Sequence, residues 1–334
     1  MYLWACVRGE AATQCIHDAA GLQAALTYAA SNNQDDLIML QSGHYSMSST
    51  FLLAYAPSIF EQYDLTIEGG YQDLPGNPCG DVPAAPDARQ TVLDGGLISL
   101  RQPSSGAITL KALTISNTLN DTQHPIPVSI TGSATSSGDI SIQNSILIGN
   151  VSTSSFAILF NANLGTLRID SSVFASNASF GDYPIYFSSF QSFDPGNTCI
   201  SIDDSTFTDN ASVAKAVRLN AGPCATAAVN DIFWGNANGD VQIDFPAVTL
   251  LDHDDFGNLT EVAGTSATNL LSANPLFNTN FSLKVNSPLR DAGNDNQSAV
   301  PYDVIGNPRL YESHQDIGAY EIQDVLFIDG FDPH

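Results

Sequence analysis

ISIQNSILIGN (140–150), LRIDSSVFASN (167–177) and ISIDDSTFTDN (200–210) read alike. Each sets two apolar residues around one polar residue, adds a short polar stretch and then an apolar one, and closes on an asparagine: Asn150, Asn177, Asn210. AAVNDIFWGN closes the same way on Asn236, VTLLDHDDFGN more loosely on Asn258, and ITLKALTISN upstream on Asn117. Successive closing asparagines lie 33, 27, 33, 26 and 22 residues apart. Recurrence at this period is the mark of stacked repeats, each burying its face on its neighbours. Alternation over four residues means a short strand, so the expectation is an all-β chain built from short parallel strands.

Composition agrees. Hydrophobic residues make up 43% of the 334, enough for a continuous core. Asn, Ser, Thr, Asp and Gly are abundant, and helical heptads are absent. Thirty-five acidic residues face ten basic ones, for a net charge of −25. That balance argues against nucleic acid, which needs clustered Lys and Arg, and against an anionic membrane surface. It makes Ca²⁺ a natural candidate cofactor. No run of 18 apolar residues is present to span a membrane, so no transmembrane segment is expected.

Five cysteines (Cys6, Cys15, Cys79, Cys199 and Cys224) form no CxxC pair. Cys199 and Cys224 are about one repeat apart and could meet on adjacent coils; Cys15 with Cys79 would tie the beginning of the chain to its first strands. Pairing stays open at this level, and Cys6 is left over. Several cysteines with few lysines suit an oxidising, extracytoplasmic setting. Residues 1–15 read as an N-terminal remnant or leader edge. MYLWACVRG is too short for a complete signal peptide, and Leu3-Trp4-Ala5-Cys6 only faintly suggests a lipoprotein cleavage site.

Residues 16–34 predict an amphipathic helix with Asp18 as N-cap and Ile16, Leu22, Ala25, Leu26 and Ala29 on its apolar stripe, a suitable cover for one end of an open stack. The repeat region continues to 273. Residues 274–323, with NPLF, SLKVNSPLRDAGND, GNPRL and QDIGAYEI, read as a closing cap, and 324–334 as an acidic-aromatic tail.

DLIMLQSGHY, LTIEGG, TVLDGG and the repeats ending in Asn resemble right-handed parallel β-helix proteins of the pectate-lyase-like superfamily. The run NPLF…LKVNSPLRDAG…IGNPR…DIGAYE closely resembles the choice-of-anchor Q domain at the end of many bacterial secreted β-helix proteins. The tail FIDGFD resembles C-terminal ends of exported gammaproteobacterial proteins. The resemblance implies a single-stranded right-handed parallel β-helix with an N-terminal capping helix, secreted or on the outer surface of a Gram-negative bacterium.

On such a fold Ile142, Ile169, Ile202 and Val229 would face inward. Gln143, Asp170, Asp203 and Asn230 would then form an outward column, which Asp252 continues if a bulge intervenes. Phe174, Phe207 and Phe233 would stack inside, and the asparagines would form a ladder whose members also suit left-handed corners. Asp170 and Asp203 would stand about 5 Å apart, where one carboxyl is protonated or a cation lies between them, and where retaining glycosidases hold their pair. The same column also reads as a solvated polar ladder. Polyuronate lyases of the superfamily use Lys or Arg beside Ca²⁺, which makes Arg168, Lys215 and Arg218 candidates. Its glycosidases carry Asn-x-Asp, Asp-Asp, Gly-His-Gly and Arg-Ile-Lys; only Asp203-Asp204 matches here. Asp252, Asp254 and Asp255 are candidate metal ligands. Tyr183, Tyr186 and Phe187, with Phe190 and Phe193 nearby, could stack on sugars. The functional expectation is a glycan-binding or adhesin-like surface protein without a catalytic centre of its own, its partner a polysaccharide or cell-surface glycan. A polysaccharide lyase or glycoside hydrolase, and a structural surface or appendage component, are the alternatives.

Overall fold

The computed structural model describes residues 11–58, 60–76, 79–80, 85–190, 197–244, 249–259, 265–296 and 300–323. Cys6, Phe193 and the tail 324–334 lie outside them.

Two inward apolar residues around one outward polar residue give strands of about four residues, and these pair in parallel with their counterparts one repeat away. Ile140–Gln143, Leu167–Asp170 and Thr198–Asp203 align Ile140 with Leu167 and Ile200, and Ile142 with Ile169 and Ile202. All six are fully buried. A one-residue slip would turn each apolar set outward, so burial itself fixes the register. Among the described residues the first sheet has ten strands, from Ala12–Ile16 to Thr265–Thr268.

Among the described residues the second sheet has thirteen strands and bends across two faces. Gly43–Tyr55 and Thr91–Arg101 are long enough to run across both. After them the strands separate into two series. One begins Thr114–Ser116, Ile146–Ile148, Val173–Ala175; the other begins Val128–Thr131, Ile158–Asn161, Ile185–Ser188. Three two-residue strands, the first of them Val151–Ser152, make a third sheet at the corner between the series. The chain is thus mostly β with long parallel sheets, the arrangement of a β-solenoid.

Stacking like on like fills the interior. Phe174, Phe207, Phe233 and Phe256 form a column with centroids 4.8, 4.7 and 5.0 Å apart and planes within 8° of parallel, which is the strand spacing expressed in rings. Asn150, Asn177, Asn210 and Asn236 form a ladder. In each, Oδ1 accepts from the backbone N–H of the asparagine or, at the first rung, threonine one coil earlier. Nδ2 donates to a backbone carbonyl in all four and, in the first three, to the next coil's rung. Asn117 and Asn258 are not rungs. Thr118 occupies the first position and Asp240 accepts from the last asparagine. The left-handed corner belongs to the residue before each rung: Asn117, Gly149, Ser176, Asp209 and Gly235, with φ between 53° and 71°.

The helix runs Ala19–Ala29, shorter than the pattern predicts because Ile16 ends the first strand. Asp18 caps it, accepting from Gly21 N–H at 2.7 Å. Leu22, Ala25, Leu26 and Ala29 enter the same core as Leu53 and Ile67. Disulfides join Cys15 to Cys79 and Cys199 to Cys224.

The segment 274–323 lies against the side of the stack. Val304, Ala319 and Tyr320 pack on Ile146, Val173 and Ala175, while Leu283, Leu289 and Ile317 pack on Ile232. Its polar contacts run from Ala88, whose N–H donates to Val304 O, to Asp252, which accepts from Asn294. This explains why ILI, VFA and IFW are apolar on both faces, as strands covered on two sides are.

Replacing Asn210 with Ala removes the acceptor of two Asn177 donors and a side-chain hydrogen bond to the Phe174 carbonyl in a buried corner. Each buried group left unpaired costs about 1–3 kcal/mol. Urea unfolding should therefore show a loss of at least about 2 kcal/mol for Asn210→Ala. Asn258→Ala, at an exposed non-rung position, should stay within about 0.5 kcal/mol.

Candidate functional site

The outward column of the first sheet is Gln143, Asp170, Asp203, Val229, Asp252 and Thr268. Two expectations change. Val229 points outward because Thr226 and Ala228, not Ala227 and Val229, take the inward places opposite Ile200 and Ile202. Asn230 moves to the following turn, where its φ is 60°. Asp252 then joins the column with no bulge.

Arg168 lies two residues before Asp170, so its guanidinium folds down the same face. Its Nε sits 3.0 Å from both Asp170 carboxylate oxygens, and an NH2 group reaches to 3.7 Å from Asp203. Ser201 repeats the geometry one coil on, donating its hydroxyl to Asp203 at 2.8 Å. Asp170 is 1% exposed beneath the arginine, while Asp203 is 6% exposed. Burial pushes the Asp170 carboxyl up to about 6, with Arg168 opposing the rise. Burial also pushes Asp203 up to about 7; the Ser201 hydroxyl opposes this, and nearby Asp170 and Asp204 add to it.

Arg168, Ser201 and Asp203, but not the buried Asp170, line an open groove of about 560 Å³ across five strands. At about 4.8 Å per strand, it extends roughly 19 Å along the stack. Arg168, Thr198, Ser201 and Asp203 occupy one end, Asp252, Ser266 and Thr268 the other, and Ala227, Val229 and Leu250 lie between.

The remaining candidates lie elsewhere. Arg218 is on the second sheet, paired with Asp244, its guanidinium carbon 5.2 Å from the ring centroids of both Tyr183 and Tyr186. Lys215 lies at a turn, beside Gly239 and within the field of Asp240. The three cations are therefore not assembled. Tyr183 and Tyr186 are half-buried on that outer face, with Tyr183 donating to Gln242. Phe187 is not a surface aromatic: it is fully buried and stacks on Phe160 at 5.4 Å. Phe190 is exposed. Asp252, Asp254 and Asp255 diverge: the first faces the groove, and the other two are buried in the corner and the next strand. Among the described residues no group of three or more His, Cys, Asp or Glu is arranged to hold a metal ion.

Sequence reading missed a second ladder, at the corner after the first sheet. Backbone N–H groups of Ser145, Ser172, Ser205 and Asp231 donate in turn to the side chains of Ser172, Ser205, Asp231 and Asp254. Burial holds the carboxyls of Asp231 and Asp254 well above the usual range, reinforced by Asp254 at the first and by Asp252 and Asp203 at the second. The recurrent residue two places after the outward column position was the available signal. Also missed was the pairing of Asp204, at 3.0 Å, with the buried Arg309.

No protein-family model matches the chain, and neither a curated protein nor a solved structure matches it. No helix among the described residues is long and apolar enough to cross a membrane.

Asp170, Asp203, Asp255 and Glu321 all bind their protons more tightly folded, with values near 6, 7, 6 and 8 against unfolded values of about 4. Their contribution to stability is full below about pH 4 and is lost as pH rises through those folded values. The melting temperature should therefore fall steadily from pH 5 to about pH 8. Asp203→Asn, which keeps the neutral shape, should flatten this slope between about pH 5 and pH 7 in a series of calorimetric scans.

Proposed function

We propose that the chain is an extracytoplasmic right-handed parallel β-helix that binds an extended glycan in the groove of its first sheet. The observation that carries this reading is the groove itself: a long open trough with hydroxyls, carboxyls and one arginine at its ends and an aliphatic floor between them. A sugar polymer has that chemistry, with polar edges around rings whose faces are apolar. Val229 in the outward column matters here, because it breaks the row of carboxylates and lets a ring lie flat. Tyr183 and Tyr186 on the second sheet already carry the Arg218 guanidinium over their rings, and Tyr186 packs on Phe156 as well, which leaves the groove as the open surface. Two disulfides favour an oxidising location. The helix Ala19–Ala29 would cover one end of the stack. The resemblance of 274–323 to a choice-of-anchor Q domain makes a surface or secreted adhesin of a Gram-negative bacterium the fuller form of the proposal.

Catalysis is the second reading, and one observation favours it. Asp203 faces the groove with a carboxyl that holds its proton to about pH 7, as a general acid requires. Against it, Asp170 is buried and clamped by Arg168, so the pair does not offer two free carboxylates to one glycosidic bond.

A panel of neutral and uronate glycans, read by calorimetric binding, by new reducing ends and by the ultraviolet absorbance of unsaturated uronates, decides between them. Binding without product is expected. Leu250→Arg, at a position 43% exposed, should weaken binding at least tenfold by filling the trough while leaving the melting temperature unchanged. New reducing ends that vanish in Asp203→Ala would replace binding with hydrolysis. A chain that binds nothing on the panel would point to a structural surface component.

A further inference from the structure

Two outward rows make the floor of the groove. One runs Arg168, Ser201, Ala227, Leu250 and Ser266; the other runs Asp170, Asp203, Val229, Asp252 and Thr268. The second row sets a carboxyl on either side of Val229. Asp203 and Asp252 both line the groove and stand two strands apart, about 10 Å at the parallel spacing. Arg168 is the cation of the lining, and its guanidinium is already engaged: Nε lies 3.0 Å from both oxygens of Asp170, and NH2 3.7 Å from Asp203. Carboxyls are therefore in excess along the floor, in a chain of net charge −25. A polyuronate would lay its own carboxylates against like charge.

Asp252 narrows the choice further. It accepts from Thr268 at 2.6 Å, Asn294 at 2.9 Å and Asn269 at 3.3 Å, and His253 lies 2.9 Å away. Burial opposes its ionisation, but the hydrogen bonds from Thr268 and Asn294 and the neighbouring His253 hold the carboxyl below the usual range. A sugar hydroxyl would compete with donors already in place. A cation is drawn by the charge itself, more strongly than a neutral donor.

We infer that the groove takes a glycan bearing free amino groups, a chain of unacetylated 2-amino sugars with ammonium groups at Asp203 and Asp252 and a ring face on Val229 between them. The inference rests on the reading that this groove binds a glycan, and adds the class. In an extended chain whose successive rings alternate, equivalent groups recur on one side at every second ring, a distance close to the span of two strands. Asp203, whose burial holds its proton to about pH 7, gives that proton up to an arriving ammonium, since an opposite charge favours the ionised form. A lysine-rich peptide also carries ammonium groups, but on flexible stems, with no flat apolar face to lie on Ala227, Val229 and Leu250.

The test is calorimetric binding to the whole chain at neutral pH of β-1,4-linked oligomers of glucosamine and of glucose, a galacturonate oligomer, and a lysine oligomer matched in charge to the first. The glucosamine oligomer should bind at least about tenfold tighter than the glucose oligomer, which carries a hydroxyl in place of each amine, and the galacturonate oligomer should bind most weakly. Asp252→Asn keeps the shape and should remove most of that preference while leaving the glucose oligomer unchanged. Asp203→Asn serves as the second variant, with melting scans to show that each folds. Asp73→Asn removes the same charge from an exposed position just after Leu65–Tyr71, toward the other end of the stack, and should change nothing. Equal affinity for the glucosamine and glucose oligomers, tightest binding of the galacturonate oligomer, or a preference that survives both groove variants would overturn the inference and leave the glycan reading standing. A lysine oligomer that binds as tightly, or an equal loss in Asp73→Asn, would also overturn it, reducing the effect to attraction by an acidic chain. Silence from all three sugar oligomers would overturn the glycan reading itself.

Discussion

Parallel pairing in register is the constraint from which the rest of the molecule follows. Each residue of a coil sits about 4.8 Å above its counterpart, so whatever one coil presents at a position meets the same position of the next. Isoleucine on isoleucine and phenylalanine on phenylalanine turn this into a dry core. Asparagine on asparagine turns it into a ladder that satisfies donors and acceptors at a corner where the backbone leaves the sheet. The coil can vary in length because loops leave between strands. The positions inside the strands and at the ladder cannot vary without cost.

The same constraint stacks carboxyls. Asp170 lies under Asp203, and Asp231 under Asp254, in a chain with few cations to separate them. Two solutions are visible. On the outer face Arg168 lies across the pair and Ser201 donates a hydrogen bond. In the corner burial holds the carboxyls well above the usual range, and each acts as a ladder acceptor through one oxygen. A carboxyl whose burial opposes its charge makes the fold sensitive to its ionisation. The acidity of this chain therefore has a structural side beyond keeping its surface hydrated.

The C-terminal segment adds a different kind of contact. Coils otherwise touch only their neighbours, which makes a stack a one-dimensional object. Residues 274–323 reach from Ala88 to Asp252 along one side and so tie coils that do not touch each other. Apolar residues on both faces of ILI, VFA and IFW provide the seat, and the Arg309–Asp204 pair fixes the position along it.

Much of this could be read from residue order. Alternation in ISIQ, LRID and ISID gave the inward and outward faces, and their similarity gave the register, so the neighbouring Asp170 and Asp203, the phenylalanine column and four rungs of asparagine followed from local pattern. Where pattern is weak, reading failed. ATAAV has small residues at both parities, so nothing local says whether Val229 or Ala228 faces in; the bulge near Thr198 and the pairing with Ile202 decide it. YPIYFSSF mixes aromatics at both parities, and only its place opposite Phe160 sends Phe187 inside and leaves Tyr186 out. The partnership of Arg309 with Asp204, and the groove that five strands make together, have no local signature at all. The sequence by itself determined what each coil repeats, because that is a matter of short-range periodicity and burial. Which side chains meet across coils and against the C-terminal segment was left to the tertiary structure, because those meetings depend on how far each loop carries the chain before the next strand begins.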